Sequence, residues 1–267
     1  LDADHHDAVI HCAAFKSVGV SVERPLDYYE NNVTGTIALV RAMDRHGLRR
    51  LIFSSSATVY GDPASVPVTE DSPVGLATNP YGWTKVMMEQ VISDVRRSDP
   101  RWSIALLRYF NPVGAHPSGL IGEDPADVPT NLMPFIAQVA AGRLDKLAVY
   151  GDDYPTPDGT GVRDYIHVAD VAEGHVAVLD ALTEPGAWLI YNLGTGRGTS
   201  VLELISSFET ATGVDVAYQV VGRRQGDVAE TWASVDRAET QLGWKAVRTV
   251  EDMCADMWRW QRSDYSG

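Results

Sequence analysis

A tyrosine and a lysine four residues apart are the first side chains in this sequence whose types and spacing suggest chemistry. Tyr81 and Lys85 stand in the segment YGWTK, and on a helix this spacing places both side chains on one face, about 5–6 Å apart at Cβ. Free tyrosine has a pKa of about 10, and a neighbouring ammonium favours the phenolate and lowers that pKa. The pair can therefore exchange a proton with a substrate hydroxyl, although a surface Tyr–Lys pair shows the same spacing.

A serine run upstream of the pair favours the chemical interpretation. The serines at 54–56 end an apolar segment, and in a doubly wound sheet ligands bind at the carboxyl ends of the strands. A serine there is placed to hydrogen-bond the same substrate hydroxyl. Pro80 indicates a helix start, which puts Tyr81 in the first helical turn, facing the crevice. We therefore predict a proton-relay site made of Ser56, Tyr81 and Lys85.

The elements that must position these residues alternate along the chain. Strands are predicted at 7–11, 50–54, 103–109, 165–168 and 188–193, and helices at 31–46, 81–97, 132–141, 169–182, 201–212 and 250–261. The alternation predicts an α/β fold with a doubly wound parallel sheet. Gly, Pro and Asp are frequent in 111–131 and 151–163, which suggests ordered loops around a site. The later segments predict a smaller C-terminal α/β substrate lobe over the sheet.

Composition and charge exclude several classes of protein. The 267 residues include 36 acidic and 22 basic ones, a net charge of -14, and no basic run of the kind that a nucleic-acid binder needs. An acidic surface is typical of a cytoplasmic protein. No apolar run is long enough to span a membrane, and the first residues do not resemble a signal peptide.

Cysteine and histidine positions give no metal or disulfide pattern. Cys12 and Cys254 lack CxxC spacing, which predicts neither a disulfide framework nor a zinc site and fits a reducing compartment. His5 and His6 have no evident partner cluster, so we predict no metal site. His11 ends an apolar run, and we expect it to be packed rather than catalytic.

Several long segments identify a family resemblance. They are SSSATVYG (54–61), NPYGWTK (79–85), LLRYFNPVGAHPSG (106–119), DGTGVRDYIHV (158–168) and YNLGTG (191–196). With the Ser and Tyr-x-x-x-Lys pattern, they make the chain resemble the extended short-chain dehydrogenase/reductase superfamily and, within it, the UDP-glucose 4-epimerases. The resemblance runs from about Asp7 to Trp260 and implies a Rossmann-type sheet.

The resemblance implies an NAD-dependent epimerisation of UDP-galactose and UDP-glucose at C4, through transient oxidation to a 4-keto sugar. Tyr81 would be the base, and Lys85 would tune it and hold the nicotinamide ribose. Ser56 would hydrogen-bond the 4-oxygen, and Thr58 would contact the sugar region. Further positions that match cofactor contacts are Cys12, Ala13, Ala14, Phe15, Lys16, Asn31 and Phe110.

Substrate recognition is implied for the looser lobe. Arg163 and Arg224 match diphosphate-binding arginines, a role that suits the guanidinium fork, although surface ion pairing is the ordinary role of such residues. Asp227 matches a ribose-contacting acid. The segment Ala148, Val149 and Tyr150 matches a uracil-binding strand, and the substrate-loop positions are Asn111, Asn131 and Leu132.

The glycine fingerprint of the family is absent from this sequence. The family carries it upstream of the point where this sequence begins, so we expect an N-terminally truncated chain, without the first strands, that binds NAD weakly. The expected organisation is a partial NAD-binding domain at 1–112 and about 163–193, and a UDP-sugar-binding lobe at about 113–162 and 194–267. The loop 194–198 has the wrong spacing for a fingerprint, and we expect it to be structural, with Thr199 or Ser200 as the N-cap of the next helix.

Two other functions stay open beside epimerisation. One is another nucleotide-sugar enzyme of the same fold, a dehydratase or a decarboxylase, but Ala57 and Thr58 stand where a dehydratase of this kind would be expected to carry acids. The other is a truncated, non-catalytic remnant that binds UDP or a partner chain. The resemblance also implies a homodimer through 31–46 and 81–97. The resemblance also places Thr231 at a position where a bulky aromatic residue narrows the sugar pocket, which suggests that a full-length version accepts UDP-N-acetyl sugars too.

Overall fold

A computed structural model describes residues 6–124, 129, 131–224 and 226–263. The strands are β1 Val9–His11, β2 Arg50–Ser54, β3 Ser103–Tyr109, β4 Asn111–Val113, β5 Leu147–Tyr150, β6 Val162–Arg163, β7 Tyr165–His167, β8 Trp188–Leu193, β9 Thr199–Ser200, β10 Tyr218–Val221 and β11 Glu230–Thr231. The α-helices are α1 Val18–Glu23, α2 Pro25–Tyr28, α3 Gly35–Arg45, α4 Pro80–Ser98, α5 Leu132–Ala140, α6 Val168–Ala181, α7 Val201–Thr212, α8 Asp236–Leu242 and α9 Val250–Gln261.

A parallel sheet in the order β1-β2-β3-β8 forms the centre of the molecule. One face packs on α3 and α4 around Met43, Met88 and Trp102, and the other packs on α6 and α8 around Val178 and Trp244. Because both faces are covered, the central strands are continuous apolar runs rather than alternating ones. The predicted doubly wound α/β fold is confirmed.

Capping groups fix where the site-bearing helix begins. The side chain of Asn79 accepts a hydrogen bond from the backbone N–H of Gly82 at 2.9 Å, and Pro80 occupies the first helical position. Tyr81 therefore lies in the first turn of α4, as predicted. Ser200 caps α7 in a capping box with Glu203. Of the two candidate N-cap residues, Thr199 and Ser200, the structure therefore selects Ser200.

The predicted helix at 31–46 differs from the structure in its first half. A π-helical segment, Tyr29–Thr34, precedes α3, and Gly47 lies just beyond α3 with a φ of 71°. Asn32 in this segment is buried and bonds Phe15 and Thr84. The short helices α1, α2 and α8, and the short strands β4, β6 and β9, were not predicted, since two to seven residues give little periodicity.

A second hydrophobic cluster lies outside the sheet, where β5, α5, α7 and α9 meet. Met133, Phe208 and Met257 lie in it, and Trp260 is buried there with Trp258 packed beside it. The C-terminal tryptophans thus belong to the core of this second part of the chain. The separate cluster supports the expected two-part organisation, whose boundaries stay a prediction.

The glycine loop at 194–198 has a structural role, as predicted. The carboxylate of Asp164, which is fully buried, accepts hydrogen bonds from the backbone N–H groups of Thr195, Gly196 and Ala233. A Cβ on Gly194 would lie 2.4 Å from that carboxylate. The loop therefore holds an internal anion, and its glycines allow the close approach.

Among the helices of the described residues, none has the length and apolar character needed to cross a membrane.

Candidate active site

Ser56, Tyr81 and Lys85 come together at the carboxyl end of β2. All three are buried, with exposures of 6%, 7% and 2%. Ser56 follows β2, caps the 3-10 helix Ala57–Tyr60 by accepting from the N–H of Thr58, and hydrogen-bonds the Tyr81 side chain. The structure thus brings the predicted proton-relay residues to one point.

The ammonium of Lys85 is fixed by the strand beside it. Its Nζ donates to the backbone carbonyl of Ser54 at 2.7 Å and lies 4.9 Å from the ring centroid of Phe53. Burial lowers the pKa of Lys85 to about 8, against the opposing charges of Cys12 and Glu89, which raise it. The lysine can therefore change its protonation state at mildly alkaline pH.

The pKa of Tyr81 is governed by its burial. Burial raises the pKa, the hydrogen bond with Ser56 lowers it, and the nearby phenol of Tyr28 raises it. A phenolate at this position consequently needs additional stabilisation. The lowering by Lys85 stays a prediction.

Thr58 presents a polar atom that suits a ligand. Its Oγ1 is buried and has no hydrogen-bond partner in the part of the chain that the structure describes. A buried hydroxyl without a partner costs free energy, and a bound hydroxyl removes that cost. This atom, two residues from Ser56, fits the predicted contact with the sugar.

The residues predicted to contact the cofactor surround the end of β1. Cys12, which is exposed, lies with its Sγ 3.1 Å from the Ser54 hydroxyl. The backbone N–H of Phe15 donates to the side-chain carbonyl of Asn32 at 2.7 Å, and Asn31 donates to the same oxygen at 2.9 Å. In the segment 12–16, Ala13 and Lys16 are exposed and Ala14 is partly buried. Phe110, the remaining predicted cofactor contact, is buried.

Asn32 was missed by sequence reasoning, although its neighbour Asn31 was named. Asn32 is 1% exposed and also donates to the carbonyl of Phe15 and to the hydroxyl of Thr84 on α4. It links the cofactor-side loop to the helix that carries Tyr81. The spacing of apolar residues around Asn32 is the signal in the sequence that could have indicated that this asparagine is buried.

The predicted phosphate and ribose residues converge around Tyr165. Burial raises the pKa of this tyrosine to about 12, with Arg163 lowering it and Asp227 raising it, so both charges act on the same phenol. Arg224 forms an ion pair with Asp227 at 2.8 Å, and its guanidinium lies 5.5 Å from the ring of Tyr150. These side chains form one charged, partly exposed group.

The other predicted substrate residues lie on several different elements. Thr231 on β11 is the register partner of Arg163 on β6. Asn131 donates to Glu123 at 3.3 Å, and Asn111 pairs through its backbone with Asp164. Leu132 begins α5, while Ala148, Val149 and Tyr150 lie on β5, with Val149 buried and Tyr150 exposed.

Histidines show no ligand geometry in the described residues. His11 is buried, bonds the Thr36 hydroxyl at 2.9 Å and packs on Phe53, which confirms its predicted packing role. Burial and, to a smaller extent, the charge of Lys85 lower its pKa to about 4. His5 lies outside the described residues, and within them no group of His, Cys, Asp and Glu is arranged to hold a metal ion.

Comparisons with known proteins agree with this geometry. The model of the NAD dependent epimerase/dehydratase family matches residues 1–194. The UDP-glucose 4-epimerase of Bacillus subtilis is 57% identical over 261 residues, which cover 98% of this chain and 77% of that protein. The UDP-glucose 4-epimerase of Dictyostelium discoideum is 53% identical, over 97% of this chain and 76% of that protein.

A solved structure shows the same fold. The UDP-glucose 4-epimerase from Bifidobacterium longum, in complex with NAD+ and UDP, matches with a TM-score of 0.93 and 53% identity, over 97% of this chain and 77% of that chain. The predicted resemblance to this family is confirmed.

Proposed function

The chain belongs to the NAD dependent epimerase/dehydratase family, and from this membership we propose that it epimerises UDP-galactose and UDP-glucose at C4 in an NAD-dependent reaction. The observation that carries the proposal is the buried contact of Ser56 with Tyr81, one helical turn from Lys85. Simple epimerisation needs one reversible proton transfer at the 4-hydroxyl, and these residues supply the groups for it.

The residues present fit the nicotinamide half of NAD. The described hydrogen bond of Lys85 Nζ, to Ser54, leaves two of its three N–H groups to bind a ribose. The exposed segment at Cys12 and Ala13 follows the end of β1, where ligands of such sheets bind. NAD, when bound, supplies reversible oxidation of the sugar at C4.

The side chains of the relay then have distinct tasks. Tyr81 takes the proton of the 4-hydroxyl and later returns it, while Ser56 holds the 4-oxygen by a hydrogen bond. Lys85 stabilises the phenolate, which burial alone disfavours. Because water is excluded from these buried groups, each electrostatic contact is stronger than at a surface.

The charged group around Tyr165 would hold the UDP moiety. Arg163 and Arg224 bind the diphosphate, and Asp227 binds the ribose. The strand segment Ala148, Val149 and Tyr150 lies beside the uracil. Support comes from the proximity of these residues, since Arg224 contacts both Asp227 and Tyr150.

Elimination is the alternative chemistry, and the residues after Ser56 disfavour it. Ala57 and Thr58 are uncharged, and neither can move the protons that a dehydratase must move. A non-catalytic protein that binds UDP would keep the charged group without turnover. Product analysis together with UDP-binding measurements separates epimerisation, elimination and non-catalytic binding.

The test incubates the chain with UDP-galactose and excess NAD and identifies the products by chromatography. UDP-glucose as product supports the proposal, whereas a dehydrated sugar would show elimination. UDP binding by calorimetry without any turnover would instead support the non-catalytic function. A matched chain with Ser118→Ala, an exposed hydroxyl bonded to His116, should behave as the wild type.

We also infer a homodimer through α3 and α4 and a cytoplasmic location. Trp83 and Met87, four residues apart on α4, are 38% and 40% exposed and form an apolar stripe that suits helix–helix contact. Light scattering at increasing concentration should show twice the chain mass. A Trp83→Glu variant should be a monomer; an unchanged mass would contradict the interface. The acidic composition supports the location, which cell fractionation tests.

A further inference from the structure

The face of α4 that carries the relay continues one turn beyond Lys85. Tyr81, Lys85 and Glu89 follow at steps of four, and Glu89 is 7% exposed. Its Oε1 accepts the hydroxyl of Ser55 at 2.5 Å. A carboxylate on the helix therefore binds the residue next to Ser56.

A buried arginine completes this contact. Arg108, on β3 and 4% exposed, donates from Nε and Nη2 to the two carboxylate oxygens of Glu89, at 3.0 and 2.7 Å. Burial lowers the pKa of Arg108, but the hydrogen bonds and charge of Glu89 more than offset this and raise it. The Arg108 guanidinium thus stays charged, and its contact with Glu89 is bidentate.

The same arginine holds the far end of the segment that contains Ser56. Its Nη1 donates to the hydroxyl of Tyr60 at 3.1 Å and to the carbonyl of Glu70 at 3.2 Å. Tyr60 ends the 3-10 helix that Ser56 caps, and its hydroxyl donates to Asn192 at 2.7 Å. One ion pair therefore holds the segment 55–60 at both ends.

The backbone adds a third constraint on this segment. The N–H of Ser55 donates to the carbonyl of Leu107 at 2.8 Å, next to Arg108 on β3. Ser55 is fully buried, so its backbone and its side chain are both bonded within the protein. Small rotations of the segment would break bonds that water cannot replace.

Stability alone gives a weak reason for such a pair. The cost of removing two charges from water commonly equals or exceeds their attraction, and apolar residues of similar volume serve stability as well. A bidentate pair, by contrast, fixes direction as well as distance. The bidentate Glu89–Arg108 pair is accordingly better suited to orienting the groups bonded to it than to increasing the free energy of unfolding.

We propose that Glu89 and Arg108 are positioning residues that align Ser56 and Thr58 with Tyr81 and Lys85. The proposal rests on the proposed epimerase function for its kinetic consequence. Neither residue touches the reacting atoms in this role; both act through Ser55 and Tyr60. A displacement of about 1 Å in such a site lowers turnover by up to about 100-fold.

Glu89 also has an electrostatic relation to Lys85. The charges of Cys12, from the end of β1, and of Glu89, from its own helix, act on Lys85, and Lys85 acts on His11. Tyr81 lies one turn before Lys85 on the same helix. The Phe53 ring and the Ser54 carbonyl face it from β2. Removal of the Glu89 charge should therefore lower the pKa of Lys85.

The test compares Glu89→Gln and Ser55→Ala with a matched control. Asp170→Asn removes another fully buried carboxylate, which is paired with Arg248 on the other side of the sheet. We expect Glu89→Gln and Ser55→Ala to lower kcat about 10- to 100-fold with KM for UDP-galactose changed less than about twofold. Asp170→Asn should lower the thermal midpoint and leave kcat unchanged. Wild-type kcat in folded Ser55→Ala, or equal kcat losses in all three variants, would overturn the proposal.

A second readout is independent of turnover. The chain has four lysines, so NMR spectra of lysine labelled at Cε can be assigned with Lys85→Arg, and the pH titration of Lys85 can be followed directly. Glu89→Gln should move this titration to lower pH, while Asp170→Asn should not. If the wild type lacks epimerase activity, the proposed function fails, but the titration still decides whether Glu89 acts on Lys85. An unmoved titration would contradict the electrostatic part.

Discussion

The proposed relay region and the proposed UDP-binding region achieve their arrangements in different ways. Ser56, Tyr81 and Lys85 are buried and bonded to groups on the central sheet and on α4. Arg224 is half-exposed and pairs with Asp227, another residue assigned to the ligand. The comparison suggests that the groups for chemistry are aligned before binding, whereas the groups for recognition exchange protein partners for ligand partners.

The largest expected effect is the removal of the Tyr81 hydroxyl. Tyr81→Phe should lower kcat at least about 1,000-fold, because no other phenol bonds Ser56 in the described residues. KM should change little, since recognition lies in the other region. The matched control is Tyr191→Phe, which removes a buried phenol bonded to Gln241 and should keep its kcat. Equal losses in both variants would show a general effect on folding.

The next largest expected effect is on the free energy of unfolding, and it tests whether Lys85 is buried. The pKa of Lys85 is about 8 in the folded chain and 10.5 when unfolded, so the unfolded state binds more protons between these pH values. The cost of the buried charge is therefore present in full below pH 8 and disappears as the pH rises to 10.5. The wild type should gain about 3 kcal/mol of unfolding free energy relative to Lys85→Met across this window.

Urea unfolding at several pH values between 7 and 10 measures this difference. Lys245→Met is the control, because that lysine is 70% exposed and forms a surface ion pair with Glu239. Its stability relative to the wild type should not vary with pH in the same way. A pH-independent difference for Lys85→Met would show that Lys85 is hydrated in solution.

A smaller and opposite kinetic pattern is expected in the recognition region. Arg224→Ala should raise KM for UDP-galactose about 10- to 150-fold with kcat nearly unchanged, since a charge-assisted hydrogen bond contributes about 1.5–3 kcal/mol. Arg197→Ala is the control, because Arg197 is exposed and pairs with Glu203 rather than with Asp227. A fall in kcat with unchanged KM would show that Arg224 acts in the chemical step. The relay and recognition regions would then not differ in the kinetic parameter that they affect.

The two regions also differ in what could be predicted from the sequence. Strands at 50–54, 103–109 and 188–193 were predicted at their observed limits, because a sheet covered on both faces requires continuous apolar runs. The position of Tyr81 followed from Pro80 and helical spacing. The family resemblance then supplied the residues of the recognition region.

Long-range polar contacts could not be predicted in this way. Glu89 and Arg108 lie 19 positions apart, and no local pattern in the sequence indicates that they form a pair. Their burial depends on how α4 crosses β3, which no periodicity expresses. The same holds for Asn32, whose partners Phe15 and Thr84 come from separate elements.

The smallest expected effect concerns the sugar pocket and depends on Thr231. This residue is partly buried on β11, in register with Arg163 on β6, so its side-chain size should affect the margin of the proposed diphosphate site. A threonine leaves more room than an aromatic side chain. The chain should therefore turn over UDP-N-acetylgalactosamine as well as UDP-galactose. Thr231→Tyr should lower kcat/KM for the N-acetyl sugar about 10-fold or more and leave UDP-galactose within about threefold, which serves as the internal control. No turnover of the N-acetyl sugar by a wild type that is active on UDP-galactose would show that another residue limits the pocket.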